Sequence, residues 1–503
     1  MKQVYITIFV CFLSLNTVFS QKIISAKVID STTKEPIPFA TISYNKKAGV
    51  ISSEAGDFTI NIDTISSEKD SLFISCLGYN QKSYAINNFS ETAIELSTED
   101  IELDEVVLLN KQYTIDEILE KVKDSLEINY DTDFVQQRIF LRTSDYTNVL
   151  DKKVKLKEST IPEINQQFTD SIVNAIPKKS SYHTEVLGDY YLKMEEDNQL
   201  AKLDIIKASE LYDKNNQLSF EGVEDKLQKI MRKHVKRDSY FKIKSGIIGA
   251  KSEIDSSFFE DEAMDTIVEN KLKKEKKKKE NFLKYRSSYL SSLLKKNFIY
   301  EDSDLNFIHK SRKYDFTLEG LVYLQTDLVY KIRFEPDGGA DFKGVMYVNA
   351  DDFAVVRLDY ENVKPLKKIN LFGVSYLNYL QRGTFLYEKN SRGKYSLKYL
   401  EEANAEKVGF DRPLSIIEKN KNVKGRRKQN EVATHVNFTL QNSIKNELVI
   451  FESTPIDKEI FENIEIEPTM IPTYLPNYDP SFWEGYNIIA PNEAIKKFKS
   501  VEE

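Results

Sequence analysis

The sequence predicts a β-rich α+β chain: an antiparallel β-sandwich at the N-terminus, a mixed α/β middle, and a curved antiparallel sheet toward the C-terminus. Three observations predict it. Residues 21–108 break into short apolar runs at even spacing with turn clusters between them, the rhythm of an antiparallel sandwich. Residues 109–310 carry helical apolar stripes as well as strands. Residues 311–460 alternate polar and apolar side chains in run after run, the period of a sheet wet on one side or of a barrel with a polar lumen. The 29 Phe and 28 Tyr fit half-buried pleated surfaces, and 503 residues are enough for roughly three domains.

Residues 1–20 read as a signal peptide. Lys2 is a positive n-region, residues 4–15 are an apolar h-region short for a bilayer span, and Val18-Phe19-Ser20 suits cleavage before Gln21. An exported protein of the periplasm or outer membrane is therefore expected, with an uncleaved anchor as the alternative. Cys11 follows Val10 in mid-segment, which does not suit a lipoprotein signal. Cleavage would leave Cys76 as the one cysteine, without an intrachain disulfide. Cys76 lies in the apolar run 72–77 and reads as a small buried residue rather than a nucleophile. After residue 20 no run approaches 18 apolar residues, so no transmembrane helix is expected, whereas barrel strands alternate and would escape that criterion.

In the sandwich, strands are expected at 23–29, 39–44, 50–53, 58–62, 71–76, 82–86 and 93–96. Asp30 to Pro36 and Glu54-Ala55-Gly56-Asp57 are the turn clusters. Gly56 and Gly78 supply backbone freedom, and Pro36 and Pro38 withhold ladder hydrogen bonds. The order Lys27-Val28-Ile29-Asp30, Thr33-Lys34-Glu35-Pro36-Ile37-Pro38-Phe39-Ala40, Ser53-Glu54-Ala55-Gly56-Asp57-Phe58, Leu77-Gly78-Tyr79 and Leu103-Asp104-Glu105-Val106-Val107 resembles the carboxypeptidase regulatory-like domain, a transthyretin-like Greek-key sandwich. Ala26 stands where that family usually has Gly. Such modules open many exported Bacteroidota proteins, TonB-dependent receptors among them. The resemblance implies a binding or spacer module, since the metal and catalytic groups of carboxypeptidases lie in a separate domain that has no counterpart here.

In residues 109–310, Thr114 and Glu117 suit a capping box ahead of the stripe Ile115, Ile118, Leu119, Val122 and Leu126. Further helices are expected at 164–176 and 221–236, the latter ending in Arg232, Lys233, Lys236 and Arg237. Strands are expected at 134–142 and 183–192, and Lys271 to Lys279 forms a solvated helix or mobile loop. In residues 311–460 the alternating sets are Tyr314/Phe316/Leu318, Tyr330/Ile332/Phe334, Ala354/Val356/Leu358/Tyr360 and Thr434/Val436/Phe438/Leu440. Gly338-Gly339 marks a turn, and Phe385 and Tyr387 pair with Tyr395, Leu397 and Tyr399 around Asn390 to Gly393. The strand rhythm of residues 342–357 is similar to the curved half-barrel of periplasmic lipoprotein carriers. The tail, 461–503, holds Asp479 to Asn487, which resembles the end of other Bacteroidota proteins opening on the same module, and a helix-like 493–503.

No catalytic, cofactor-binding or metal-ligating residue is assigned, and no cofactor. His183, His234, His309 and His435 have no metal-ligand spacing, although His183-Thr184-Glu185 on a strand could offer two outward ligands. Gly373 to Leu377 lacks the second glycine of a serine-hydrolase elbow, and Ser31 to Lys34 matches the Ser-x-x-Lys pattern by letters only. Asp302-Ser303-Asp304 begins like a calcium loop, but Phe307 and Lys313 stand where Gly and Glu are required. Asp351-Asp352 reads as a turn. The net charge of −8 argues against a nucleic-acid partner. The basic clusters Lys271–Lys279 and Lys419–Lys428, with Arg426 and Arg427, are solvated charge or contacts to anionic headgroups. Three readings stay open. The first is a non-catalytic envelope protein that binds a lipid, a lipoprotein or an outer-membrane partner, with peripheral association to that membrane. The second is a barrel or receptor-associated component. The third is an unrecognised hydrolase. Oligomeric state is not legible.

Overall fold

The computed structural model describes residues 22–45, 49–62, 70–99, 113–193, 200–246, 248–254, 264–324, 327–390, 392–422, 424, 427–466 and 470–500, with the backbone alone along 216–221, 264–276 and 278–279. Residues 1–20, read above as a signal peptide, Leu103 to Val107, Arg426 and nearly all the lysine side chains of 271–279 lie outside them.

Seven short strands open the chain: β1 (Lys22–Asp30), β2 (Thr41–Tyr44), β3 (Gly49–Ile51), β4 (Asp57–Ile62), β5 (Ser71–Ser75), β6 (Lys82–Ala85) and β7 (Ala93–Leu96). They form two sheets, β4-β1-β7 and β3-β2-β5-β6. β1 runs antiparallel to β4 and parallel to β7. Period-two alternation sends Ile24, Ala26 and Val28 of β1 inward, where they meet Ile42, Phe58, Ile60, Ile74 and Ile94. The first turn is fixed by the Asp30 carboxylate, which accepts from the backbone N–H of Thr32 and Thr33. Gly56 is obligatory: its φ is +78°, and a Cβ there would stand 2.4 Å from the Val28 carbonyl oxygen.

The rest of the chain builds one sheet. In order come α1 (Ile115–Asn129), β8 (Val135–Ser159), α2 (Gln166–Ala175), β9 (Lys179–Lys193), β10 (Leu200–Tyr212), α3 (Lys214–His234), β11 (Ser239–Ser245), β12 (Ile248–Glu253) and α4 (Met264–Leu294). Then follow β13 (Tyr314–Leu324), β14 (Asp327–Pro336), β15 (Phe342–Asn349), β16 (Val355–Asn362), β17 (Lys367–Leu371), β18 (Val374–Lys389), β19 (Tyr395–Asn420), β20 (Lys428–Pro455), α5 (Lys458–Asn463), β21 (Thr473–Tyr474) and α6 (Glu493–Lys496). Fourteen described strands join in the order β13-β14-β15-β16-β18-β19-β20-β8-β9-β10-β21, with β17 on β18 and the hairpin β11-β12 on β19. The sheet thus takes strands from both the 109–310 and the 311–460 stretches. The order is open: β13 and β21 stand at its two ends.

Several elements run further than local patterns predict. The strand expected at 134–142 continues to Ser159, because the polar run after Arg142 still alternates against β20. The helix expected at 221–236 begins at Lys214, where Asp213 caps it by accepting from Asn215 N–H. In the helix-like 493–503, the described residues to 500 form a single turn, Glu493–Lys496, because Phe498 leaves it to pack edge-on against His183. The capping box of α1 forms as expected, Thr114 and Glu117 exchanging side-chain to backbone bonds.

Two cores sandwich the large sheet. On one face, Ile118, Val122 and Leu126 of α1, Leu290, Leu293 and Leu294 of α4 and the ring of Phe298 pack on Leu141, Tyr190, Leu358, Phe385, Leu400 and Leu448. On the other face, Phe140, Leu187, Tyr399, Val449 and Phe451 meet the N-terminal sandwich and Trp483, Ile488 and Ile489 of the tail. Neighbours in sequence, Phe140 against Leu141 and Tyr399 against Leu400, fall into opposite cores.

Candidate binding surface

Strands β8, β19 and β20 have 25, 26 and 28 residues, which at about 3.3 Å per residue carries β20 across ~90 Å. That is far longer than either core, so their distal halves form an arm. The registers set the helix-side face of that arm row by row. Leu400, Leu448 and Leu141 end the core, and the next row is Glu402, Asn446, Thr143 and Thr184. This polar row closes the core through α4 and the turn after it: Arg286 donates to Thr184 Oγ1 at 2.8 Å, Tyr289 to Asn446 Oδ1 at 2.9 Å, and Lys296 pairs with Glu402 at 2.5 Å. Burial pushes the Tyr289 hydroxyl up to about 12.

Two more largely polar rows follow, Asn404/Ile444/Asp145/Tyr182 and Glu406/Asn442/Thr147/Ser180, and beyond them the face turns apolar. Val408, Leu440 and Val149 share one row and Phe410 and Phe438 the next; Val436 and Val154, then Leu414 and Leu156, then Ile416 and Val432 follow. β17 and β18 extend the rows with Ile369 beside Tyr376 and Leu371 beside Val374. The opposite face carries Lys407, Asp411, Gln441, Thr439, Asn437 and His435. α2 and α3 cover the β8 side of the apolar rows, through Ile161, Ile164, Phe168 and Ile230 against Val432, and Lys152 ties the end of α2 down by donating to the carbonyls of Val173 and Ile176. Among the described residues the β17–β18–β19 side is exposed: Ile369, Leu371, Val374 and Ile416 are 42, 58, 38 and 38% exposed, and Phe372 at the hairpin tip is 69% exposed. A contiguous apolar area of this kind marks an interaction site, since single exposed side chains are ordinary and rows of them are not.

The other side of the sheet is organised by charge. Arg142 and Glu185, both fully buried, form a salt bridge at 2.7 Å, with Glu447 at 3.7 Å. Arg142 also donates to the carbonyls of Ile489 and Ala490, and Glu185 accepts from Trp483 Nε1 at 2.7 Å and from Ser209. Lys445 links Glu447 and Glu401 of the sheet to Glu54 of the sandwich, at 3.5, 3.1 and 3.0 Å, and despite burial these carboxylates hold its ammonium above its usual range. The arrangement clasps tail and sandwich to the sheet; Arg142 and Glu185 are sealed from solvent. Between sandwich and sheet lie a cavity of about 530 Å³, lined by Phe39, Glu54, Arg333, Lys343, Arg382 and Glu401, and one of about 250 Å³ that reaches Cys76.

With two packed sheets, the glycine turn at 56 and the Leu77-Gly78-Tyr79 bend in place, the N-terminal body can be compared with known modules. Residues 24–108 match the CarboxypepD_reg-like domain. The CarboxypepD_reg-like module thus spans the seven short strands and docks on the sheet through Phe39, whose ring lies 5.0 Å from that of Tyr399. No curated protein matches the chain. Among solved structures, a LolA superfamily protein from Nitrosomonas europaea is similar at 11% identity and TM-score 0.16, over 70% of this chain and 98% of that one. A domain assigned to outer membrane lipoprotein sorting from Vibrio parahaemolyticus gives 9% and 0.21 over 68% and 95%. The Pseudomonas aeruginosa MucA/MucB complex gives 6% and 0.15 over 64% and 92%. TM-scores this low carry no argument about fold or ligand.

The residues singled out in the sequence are scattered. His183 is buried on β9, bonded to Ser144 Oγ at 2.9 Å; desolvation, aided by Arg142 and opposed by Glu185, pushes it down to about 4. It faces the tail rather than solvent, so the outward ligand pair with Glu185 does not form: Glu185 is occupied by Arg142 and Trp483. His234 meets Glu163, His309 lies near the Ile299 carbonyl, and His435 pairs with Asp411 at 2.6 Å on the polar face of the arm. Among the described residues no group of three His, Cys, Asp or Glu could hold a metal. Ser31 to Lys34 is a turn, Gly373 closes the β17–β18 hairpin, and Ser303 is buried with its hydroxyl on the Lys296 carbonyl. Asp352 pairs with Lys389 at 2.8 Å. Cys76 is buried, which pushes its thiol up. In the Lys419–Lys428 cluster, Lys421 pairs with Glu253 and Lys428 with Glu431. Sequence reading missed Arg142 and Lys445 and took Glu185 for an outward ligand rather than a buried ion-pair partner; the available signal was a charge inside otherwise apolar strands.

Proposed function

We propose that this chain is an exported protein of the cell envelope that acts by binding rather than by catalysis, and that it takes the apolar part of a lipid or lipoprotein on the helix side of its long arm. One observation carries the reading: the rows Val408/Leu440, Phe410/Phe438 and Leu414, continued by Ile369, Leu371 and Val374, form an apolar face that no described residue covers on its β17–β18–β19 side. Burying one Phe or Leu side chain there stabilises a complex by ~1.5–3 kcal/mol, so a few rows suffice to hold an acyl chain. The open strand order supports a sheet used as a surface. The CarboxypepD_reg-like module, fixed to the opposite face, serves as a docking or spacer body. Displacement of a fluorescent apolar probe by decanol is the test. The full chain should bind decanol, and a Phe438→Asp/Leu440→Asp variant should bind it at least tenfold more weakly. Equal binding by the two proteins, or none by either, sinks the reading.

A further inference from the structure

Along β19 one residue breaks the apolar series: the helix-side positions read Val408, Phe410, Arg412, Leu414 and Ile416. Arg412 is only 8% exposed. Its Nη2 donates to the Ser245 carbonyl oxygen at 2.7 Å, but its Nε is buried with no partner, and no described carboxylate pairs with it. The adjacent Asp411 faces the other way and is held by His435. The Ser245 hydroxyl, on the same small patch, is also buried without a partner. A guanidinium with a buried, unpartnered Nε and no counter-charge is a less favourable occupant of this row than an apolar side chain of similar size. A local rule broken without a compensating contact is the mark of a functional position.

The surroundings are built around it. β19 pairs with β18 as far as Phe410 and with β11 from Ser415, so Arg412 lies in a notch between the ends of two hairpins. Each hairpin turn presents a glycine to it. A Cβ on Gly373 would come within 3.0 Å of Arg412 Cγ, and one on Gly246 within 3.0 Å of Nη2. The notch is rimmed by Leu371, Phe372 and Ile248, which are 58, 69 and 59% exposed. An anionic oxygen headgroup would supply the missing charge through charge-assisted hydrogen bonds to Arg412 and Ser245, while its chain lay along the apolar rows.

We propose that Arg412 and Ser245 are the headgroup site of the arm, and that its ligand is an anionic amphiphile, a phosphate or carboxylate attached to an alkyl chain. The proposal rests on the apolar-face reading above and adds the head to it. The test compares decyl phosphate, decanol and inorganic phosphate on the full chain, by the same displacement assay and by calorimetry. The expected result is decyl phosphate bound at least tenfold more tightly than decanol. Arg412→Leu should abolish that preference by weakening decyl phosphate alone, without lowering the melting temperature, and Ser245→Ala should reduce it partially. Equal binding of decyl phosphate and decanol by the unaltered protein overturns the headgroup site while leaving the apolar reading intact, and needs no variant to fold. Inorganic phosphate competing as strongly as decyl phosphate overturns the amphiphile assignment. Failure to bind either alkyl compound removes the underlying reading and the headgroup site with it.

Discussion

Arg142 and Glu185 illustrate how single residues decide this molecule. Each is fully buried and satisfied inside: Arg142 by Glu185, Glu447 and two tail carbonyls, Glu185 by Arg142, Ser209 and Trp483. Replacing Arg142 by Met leaves Glu185 without a counter-charge in the interior and leaves Glu447 with Lys445 alone, and should destabilise by ~3–5 kcal/mol in urea titrations followed by Trp483 fluorescence. Adding Glu185→Gln and Glu447→Gln should recover most of that loss; no recovery would show that the cost lies in packing instead. His183 adds a pH dependence. Its folded value, about 4, lies below its ordinary 6.5 because burial disfavours the imidazolium. The unfolded chain therefore binds more protons between these values, and stability is complete above pH 6.5 and falls as pH drops toward 4. The loss should reach ~2 kcal/mol by pH 5. A His183→Asn variant that keeps the full slope would assign it to other groups. The imidazole was legible in the sequence as a strand residue; its burial was not, because the tail that covers it comes more than 300 residues later.

At the scale of elements, local signals were strong where the partner was also local. The α1 capping box needed only Thr114 and Glu117, and it forms. Thr114 is exposed and Glu117 half-buried, so Thr114→Ala should cost only ~1 kcal/mol, read as a small drop in urea midpoint with an unchanged slope. The long strands behave differently. Thr434, Val436, Phe438 and Leu440 were visible as an alternating set, and that alternation fixed which residues share a face. It could not say whether the apolar face would be covered. α2 and α3 cover one side of it and leave the other open, and that choice is made by Ile161, Phe168 and Ile230, residues far from β20 in sequence. Arg412 was equally readable as a letter in an apolar row, but its missing counter-charge depends on where the β11–β12 and β17–β18 turns come to rest.

For the whole molecule, the large sheet is the common wall of two cores. Removing residues 22–99 would bare Phe140, Tyr399, Val449 and Phe451 on the sandwich side. The truncated chain should bind 8-anilinonaphthalene sulfonate strongly and aggregate, whereas a freely hinged spacer would leave dye binding and solubility unchanged. Period-two patterning, turn chemistry and capping are local properties, so the sequence alone determined a β-rich chain, the seven-strand N-terminal sandwich and the two-faced character of the long strands. Pairing between distant segments is not local. Only the tertiary structure decided that β8–β10 and β13–β20 share one sheet, that buried charges clasp the tail and the N-terminal module to it, and that part of an apolar face with a cation set into it is left open. The physical reason is that alternation says which side chains lie together on a strand, whereas what comes to rest against them depends on contacts between parts of the chain hundreds of residues apart.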